Sequence, residues 1–167
     1  GCIGVNIGVG PLDDLDPYEA RTTLVANMRH AAAELGKVGV VALVEAINTR
    51  DQPGFFVNTT AQSLGVIAEA NHPNLAVLYD FYHMQIMEGD LALTVKENLA
   101  SIKHIQIADN PFRHPSTNND SQHDSCSSQL KAASGSHRWS FSTSNSDDSE
   151  SDTCSNLPVD NSRTHSS

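Results

Sequence analysis

From Ile3 to Ala108, short apolar runs of strand length alternate with segments whose apolar residues recur at helical spacing. That alternation restricts the chain to α/β folds built on a parallel sheet. Ile3 to Val9 reads as a buried strand. After Gly10 and the turn-like Pro11-Leu12-Asp13-Asp14, Asp16 can cap a helix with Pro17 at its first position and Glu19 in its first turn. Leu24, Met28, Ala31 and Leu35 continue that helix, and Gly36 is expected to stop it. Val38 to Val44 is a β-branched run suited to a strand buried on both faces, and its end delivers Glu45. A loop from Ala46 to Asn58 leads to a second helix capped by Thr59 or Thr60, with Leu64, Ile67 and Ala68 on its inner face and Asn71-His72-Pro73 at its end. Leu75 to Leu78 is the next strand, presenting Tyr79 and Asp80. A loop, a third helix from about Leu91 to Ser101 and a strand from Lys103 to Ala108 complete four parallel strands. A doubly wound sheet has the same periodicity, but no G-x-G-x-x-G opens any helix, so its nucleotide-binding version lacks support.

Serine usage marks a boundary near Pro115. Residues 1 to 115 contain two serines, Ser63 and Ser101, whereas the 52 residues from Ser116 to Ser167 contain 17. We therefore divide the chain into 1–115 and a Ser/Asn/Asp-rich tail, 116–167. In the tail Leu130, Trp139 and Phe141 show neither period 2 nor period 3.6, and disorder is the expectation, because so few apolar groups cannot offset chain entropy. A non-homologous extension from an altered frame or splice is favoured over a regulatory, phosphorylated tail. The opening Gly1, leading at once into Cys2-Ile3-Gly4-Val5, reads as the start of a fragment.

A formal net charge of −10 disfavours nucleic acid and anionic membrane as partners, since both select basic surfaces. No apolar stretch approaches the roughly 20 residues of a membrane span, and no signal-peptide pattern is present. Cys2, Cys126 and Cys154 are far apart and odd in number, with no C-x-x-C pair. A soluble protein of a reducing compartment, the cytoplasm, is expected.

The chemistry lies where the strands end. Three successive apolar runs finish in, or carry near their ends, an oxygen-bearing side chain: Glu45, Asp80 and Gln106. In a (β/α)₈ barrel such ends converge on one site, and carboxylate and amide oxygens suit Mg²⁺ or Mn²⁺ rather than a soft metal. His83, three residues beyond Asp80, stands above the same rim and can ligate, shuttle a proton or hydrogen-bond a substrate. Taken singly, a Glu after a strand is more often a loop ion pair or a cap, and an Asp there a turn former. His72, His104 and His114 read as surface or packing residues. Three such oxygens at successive strands are harder to assign to turns.

The segments Leu43-Val44-Glu45-Ala46-Ile47-Asn48, Pro53-Gly54-Phe55-Phe56, Tyr79-Asp80-Phe81-Tyr82-His83-Met84-Gln85 and His104-Ile105-Gln106-Ile107-Ala108-Asp109-Asn110-Pro111 resemble hydroxypyruvate isomerases and the related 2-oxo-tetronate isomerases, which are xylose-isomerase-like TIM barrels. The resemblance covers most of residues 1 to 114. It implies a partial (β/α)₈ barrel in which Ile3 to Val9 is strand four and the later strands are five, six and seven. It further implies Glu45, Asp80 and Gln106 as metal ligands, Glu45 also as a catalytic acid/base, and His83 and Arg113 near the substrate. The implied chemistry is isomerisation of hydroxypyruvate to tartronate semialdehyde by proton transfer through an enediol, assisted by a divalent metal, Mg²⁺ or Mn²⁺. The implied partner is a small hydroxy-carbonyl acid, and the full-length family allows a homo-oligomer.

After Asn110-Pro111 the family continues with an Arg, matched by Arg113, and a Glu-Pro-Gly-Thr-Gly-Glu loop, whereas this chain reads His114-Pro115-Ser116-Thr117. Strand eight, with a fourth ligand and a second catalytic carboxylate, has no counterpart in the sequence, and strands one to three are also missing. A single chain of this kind is expected to be nearly inactive. The rivals are another sugar isomerase or epimerase on the same barrel, and a non-catalytic isoform acting through its Ser-rich tail. An endonuclease-IV-like phosphodiesterase is disfavoured by the acidic balance and the lack of a His-rich trinuclear metal set.

Overall fold

The computed structural model describes residues 1–108, residue 110 and the strand at 140–143. Its elements are β1 (Gly4–Asn6), α1 (Pro17–Gly36), β2 (Val41–Glu45), α2 (Thr60–Ala70), β3 (Leu75–Asp80), α3 (Phe81–Met87), α4 (Leu91–Asn98), β4 (Ile102–Ile107) and β5 (Ser140–Thr143). The strands form one sheet in the order β1-β2-β3-β4-β5, every neighbouring pair parallel. The first four strands and their helices make the half-barrel expected from the sequence. The fifth strand was not expected: a tail without apolar periodicity nevertheless supplies a segment that pairs alongside β4, His104 opposite Ser140 and Gln106 opposite Ser142. The remainder of the tail, and Arg113, lie outside the described residues.

Successive strand residues point to opposite faces, and the two faces differ in chemistry. Ala42, Val44, Leu75, Val77 and Tyr79 pack with Leu24, Val25, Met28 and Ala32 of α1 and with Val66 and Ala70 of α2, forming the main core between sheet and helices. Leu43, Ala76 and Leu78 form a second, smaller cluster on the other face. By the same alternation Glu45 and Asp80 follow Leu43 and Leu78 on that second face. A register shift between Val77 and Leu78 changes the phase of β4: Val77 pairs with Ile102, but Leu78 pairs with His104 and Asp80 with Gln106. Without the extra residue Asp80 would stand opposite Ile105, which is instead fully buried in the helix-side core.

Helix α1 starts as expected, the Asp16 carboxylate accepting from the backbone N–H groups of Tyr18 and Glu19 with Pro17 at the first position. Helix α2 starts with a capping box, Thr59 Oγ1 accepting from Gln62 N–H while Gln62 reaches back to Thr59 N–H. Several boundaries differ from the sequence reading. β1 is three residues long rather than seven, because on the described sheet it has one neighbour and its residues are only partly covered. β2 begins at Val41, since Val38 lies in the turn after α1 and is 73% exposed. Helix α1 itself ends at Gly36 as expected, and the turn after it is closed by Gly39 at φ +73°. In α2 the buried stripe is Thr60, Ser63, Val66 and Ala70; Leu64 and Ile67 pack at its margin and Ala68 is exposed. The segment after Asp80, expected as a loop, is α3, with Asp80 as its N-cap.

Candidate active site

The parallel sheet brings every strand's C-terminal end to one edge, and polar side chains collect there: Asn6 from β1, Glu45 from β2, Asp80 from β3 and Gln106 from β4. Glu45 and Asp80 are buried, at 7% and 1% exposure. Asn6 Nδ2 donates to Glu45 Oε2 at 2.5 Å. Asp80 divides its two oxygens: Oδ1 accepts the Tyr82 N–H at 2.8 Å, capping α3, while Oδ2 lies 3.6 Å from His83 Nε2. The same Nε2 is 3.7 Å from Glu45 Oε1. One turn of α3 therefore carries His83 back over the two carboxylates. Ligand atoms of Glu45, Asp80 and His83 all lie within 4.8 Å of one another. Among the described residues this is the one grouping of three or more His, Cys, Asp or Glu side chains close enough to share an ion.

A cavity of about 410 Å³ opens beside this cluster, lined by Glu45, Ile47, Asp51, Gln52, Phe55, His83 and Gln106. Gln106 thus faces the same space, half-buried, opposite Asp80 in the sheet. The loop after β2 supplies the opposite wall. Gly54, at φ +78°, turns that loop back so that Phe55 reaches the cavity, and the turn is pinned to the loop after β1 by Leu12 N–H to Gly54 O and Phe56 N–H to Gly10 O.

His83 is held from behind. The Asn48 backbone N–H lies 3.3 Å from its Nδ1 and the Asn48 side-chain amide nitrogen 2.7 Å. Asn48 is in turn bound on both sides by Asp51, whose N–H donates to Asn48 Oδ1 and whose carboxylate accepts from Asn48 Nδ2. The Tyr82 hydroxyl donates to Asp51 at 2.6 Å and accepts from Arg50 at 3.1 Å. The bond from Tyr82, then that from Asn48, holds the Asp51 carboxyl below the usual carboxylate range. Burial, then the neighbouring carboxylate, pushes the Tyr82 hydroxyl above its ordinary value.

Sequence reasoning placed Glu45, Asp80, Gln106 and His83 on one rim, and the fold brings all four to it. Asn6, Asn48 and Asp51 were missed. Asn6 had a legible signal, being a polar residue inside the apolar run from Ile3 to Val9; Asn48 and Asp51 act through loop geometry that spacing does not encode.

A pair of buried carboxylates at adjoining strand ends is costly unless positive charge or a proton compensates it. With the Gln106 amide in the same cavity, the donor set is rich in oxygen and fits a hard divalent cation.

The family model for the xylose isomerase-like TIM barrel matches residues 1–139. The chain is 43% identical over 112 residues to 2-oxo-tetronate isomerase of Cupriavidus necator, covering 67% of this chain and 43% of that protein. It is 45% identical over 95 residues to hydroxypyruvate isomerase of Escherichia coli, covering 57% of this chain and 37% of that one. It therefore spans less than half the length of these curated relatives. Among solved structures, AP endonuclease, family 2, from Brucella melitensis superposes with a TM-score of 0.79 at 33% identity, covering 86% of this chain and 55% of that chain.

Proposed function

Because this chain belongs to the xylose isomerase-like TIM barrel family, we propose that its strand-end cluster is the metal-binding half of an isomerase site for a small hydroxy-carbonyl acid, interconverting hydroxypyruvate and tartronate semialdehyde. The observation that carries this reading is the burial of Glu45 and Asp80 side by side at adjoining strand ends, with His83 Nε2 within 3.7 Å of both. Relatives named hydroxypyruvate isomerase and 2-oxo-tetronate isomerase support the reaction class.

Glu45, Asp80 and Gln106 would hold the cation, Mg²⁺ or Mn²⁺. When bound it would supply Lewis acidity toward the carbonyl and hydroxyl oxygens and so acidify the neighbouring carbon-bound proton. Glu45 takes that proton from the hydroxyl-bearing carbon of hydroxypyruvate, leaving an enediolate in which the hydroxyl proton passes to the former carbonyl oxygen. Return of a proton to the adjacent carbon yields the aldehyde, with no net change in atoms or electrons. His83 holds a substrate oxygen over the carboxylates. Arg113 is proposed as a substrate contact from the family resemblance.

The reading is tested by titrating the full chain with Mn²⁺ and following water proton relaxation. One site is expected, weakened at least tenfold by Asp80→Asn, with relaxation falling when hydroxypyruvate displaces bound water. Binding unaffected by Asp80→Asn, or no response to hydroxypyruvate, would refute it.

A further inference from the structure

We propose that Asn48 is a positioning residue that fixes the tautomer of His83, so that His83 presents Nε2–H to the centre as a hydrogen-bond donor and is not a ligand to the cation. The inference rests on the reading of Glu45 and Asp80 as the carboxylate centre and assigns the third member of their cluster a different task.

A backbone N–H can only donate, and that of Asn48 points at His83 Nδ1 from 3.3 Å. The second neighbour of Nδ1 is the Asn48 side-chain amide, 2.7 Å away. Its orientation is decided by Asp51. As placed, Asn48 Oδ1 accepts from the Asp51 N–H at 2.8 Å and Nδ2 donates to the Asp51 carboxylate at 3.1 Å. Turning the amide over would set oxygen against carboxylate and N–H against N–H, losing both bonds. Two donors therefore converge on Nδ1, which must offer its lone pair. In a neutral imidazole the proton then sits on Nε2.

Asn48 is fully buried and His83 is 2% exposed, so bulk water does not readily take over either role at Nδ1. The bracing runs further out through Tyr82 to Asp51 and Arg50 to Tyr82. A histidine that binds metal through Nε2 shows the opposite pattern, keeping its proton on Nδ1 and donating it to a carbonyl or carboxylate. Proximity of Nε2 to Glu45 and Asp80, at 3.7 and 3.6 Å, is thus the position of a donor beside two acceptors. A substrate carbonyl or hydroxyl oxygen entering the cavity meets that N–H.

The test is two-bond ¹H–¹⁵N correlation NMR on the full chain with labelled histidine, in which each ring nitrogen reports its own protonation; the His83 signals are those absent from His83→Gln. Expected are an unprotonated Nδ1 and a protonated Nε2, both unchanged when Mg²⁺ is added. Asn48→Asp keeps the side-chain shape but replaces the amide donor with an acceptor, and should draw a proton onto Nδ1. A proton on Nδ1 in the unsubstituted chain, loss of the Nε2 proton on adding Mg²⁺, or an Asn48→Asp chain with native amide dispersion and a bare Nδ1 would each overturn the proposal. If Asn48→Asp does not fold, the unsubstituted spectrum decides alone. Should Mg²⁺ leave the carboxyl resonances of Glu45 and Asp80 unmoved, the metal reading fails while the tautomer is still decided by the metal-free spectrum.

Discussion

Asp80 shows how much one side chain does in this molecule. It ends β3, caps α3 with one oxygen and gives the other to the centre, so strand, helix and site meet at a single carboxylate. Asp80→Asn keeps an oxygen for the cap and loses the charge, which separates the two roles: folding should be largely retained while cation binding is lost. Glu45 and Asp80 were legible in the sequence because oxygen-bearing side chains recur at the ends of successive apolar runs, although either one alone reads as an ordinary cap or turn former. Asn6 left a weaker signal, a polar residue inside an apolar run, and Asn48 left none, since Asn is an everyday turn and strand-end residue whose meaning depends on what faces it. Asp51 carries a testable consequence of its own. Its carboxyl is held below 3.8 chiefly by the Tyr82 hydroxyl, so its contribution to stability is present above the unfolded-state value and is lost as pH falls through the folded-state value. With the side chain 37% exposed, screening keeps that contribution small. Tyr82→Phe should return the Asp51 titration, followed by carboxyl ¹³C NMR, toward the ordinary range; an unchanged titration would contradict the assigned cause.

Among the elements, those with strong local chemistry were readable. Asp16-Pro17 placed the start of α1, and Thr59 or Thr60 the start of α2, of which the structure selects Thr59. Removing the capping hydroxyl in Thr59→Ala should cost about 1 kcal/mol, read as a lower midpoint of chemical denaturation. No loss would mean that α2 is held by packing alone. Val66, fully buried between α2 and the sheet, sets the contrasting scale: Val66→Ala removes core volume and should cost roughly 1–3 kcal/mol. What local chemistry does not encode is phase. The register shift in β3–β4 follows from how two strands pair, and it alone sets Gln106, rather than Ile105, beside Asp80. The same limit explains α3, whose apolar and aromatic residues Phe81, Tyr82 and Met84 are buried by tertiary packing and whose helical conformation follows from Asp80 acting as a cap. It also explains α2, where the buried stripe is rotated from the one a list of large apolar residues suggests.

For the whole molecule, the alternating pattern was enough to specify a parallel half-barrel with its polar groups on one edge. It was not enough to reveal β5, because four residues in a serine-rich stretch form a strand only by having β4 to pair with. β5 occupies the next sheet position, but the sequence Ser140-Phe141-Ser142-Thr143 contains no carboxylate. The isomerase proposed here needs a second acid/base group, and general acid–base catalysis by one such group contributes about a hundredfold or more. Turnover of hydroxypyruvate by this chain with Mg²⁺ should therefore lie about a hundredfold or more below that of a closed barrel, and comparable rates would show that the chain already holds a complete site. No described helix is long and apolar enough to cross a membrane. Crystals of the full chain grown with Mn²⁺ and measured for anomalous scattering decide whether the two strand-end carboxylates form a cation centre. A single strong peak is expected between Glu45 and Asp80 within reach of Gln106, with His83 outside the coordination sphere. A peak elsewhere, or none at saturating Mn²⁺, would contradict it.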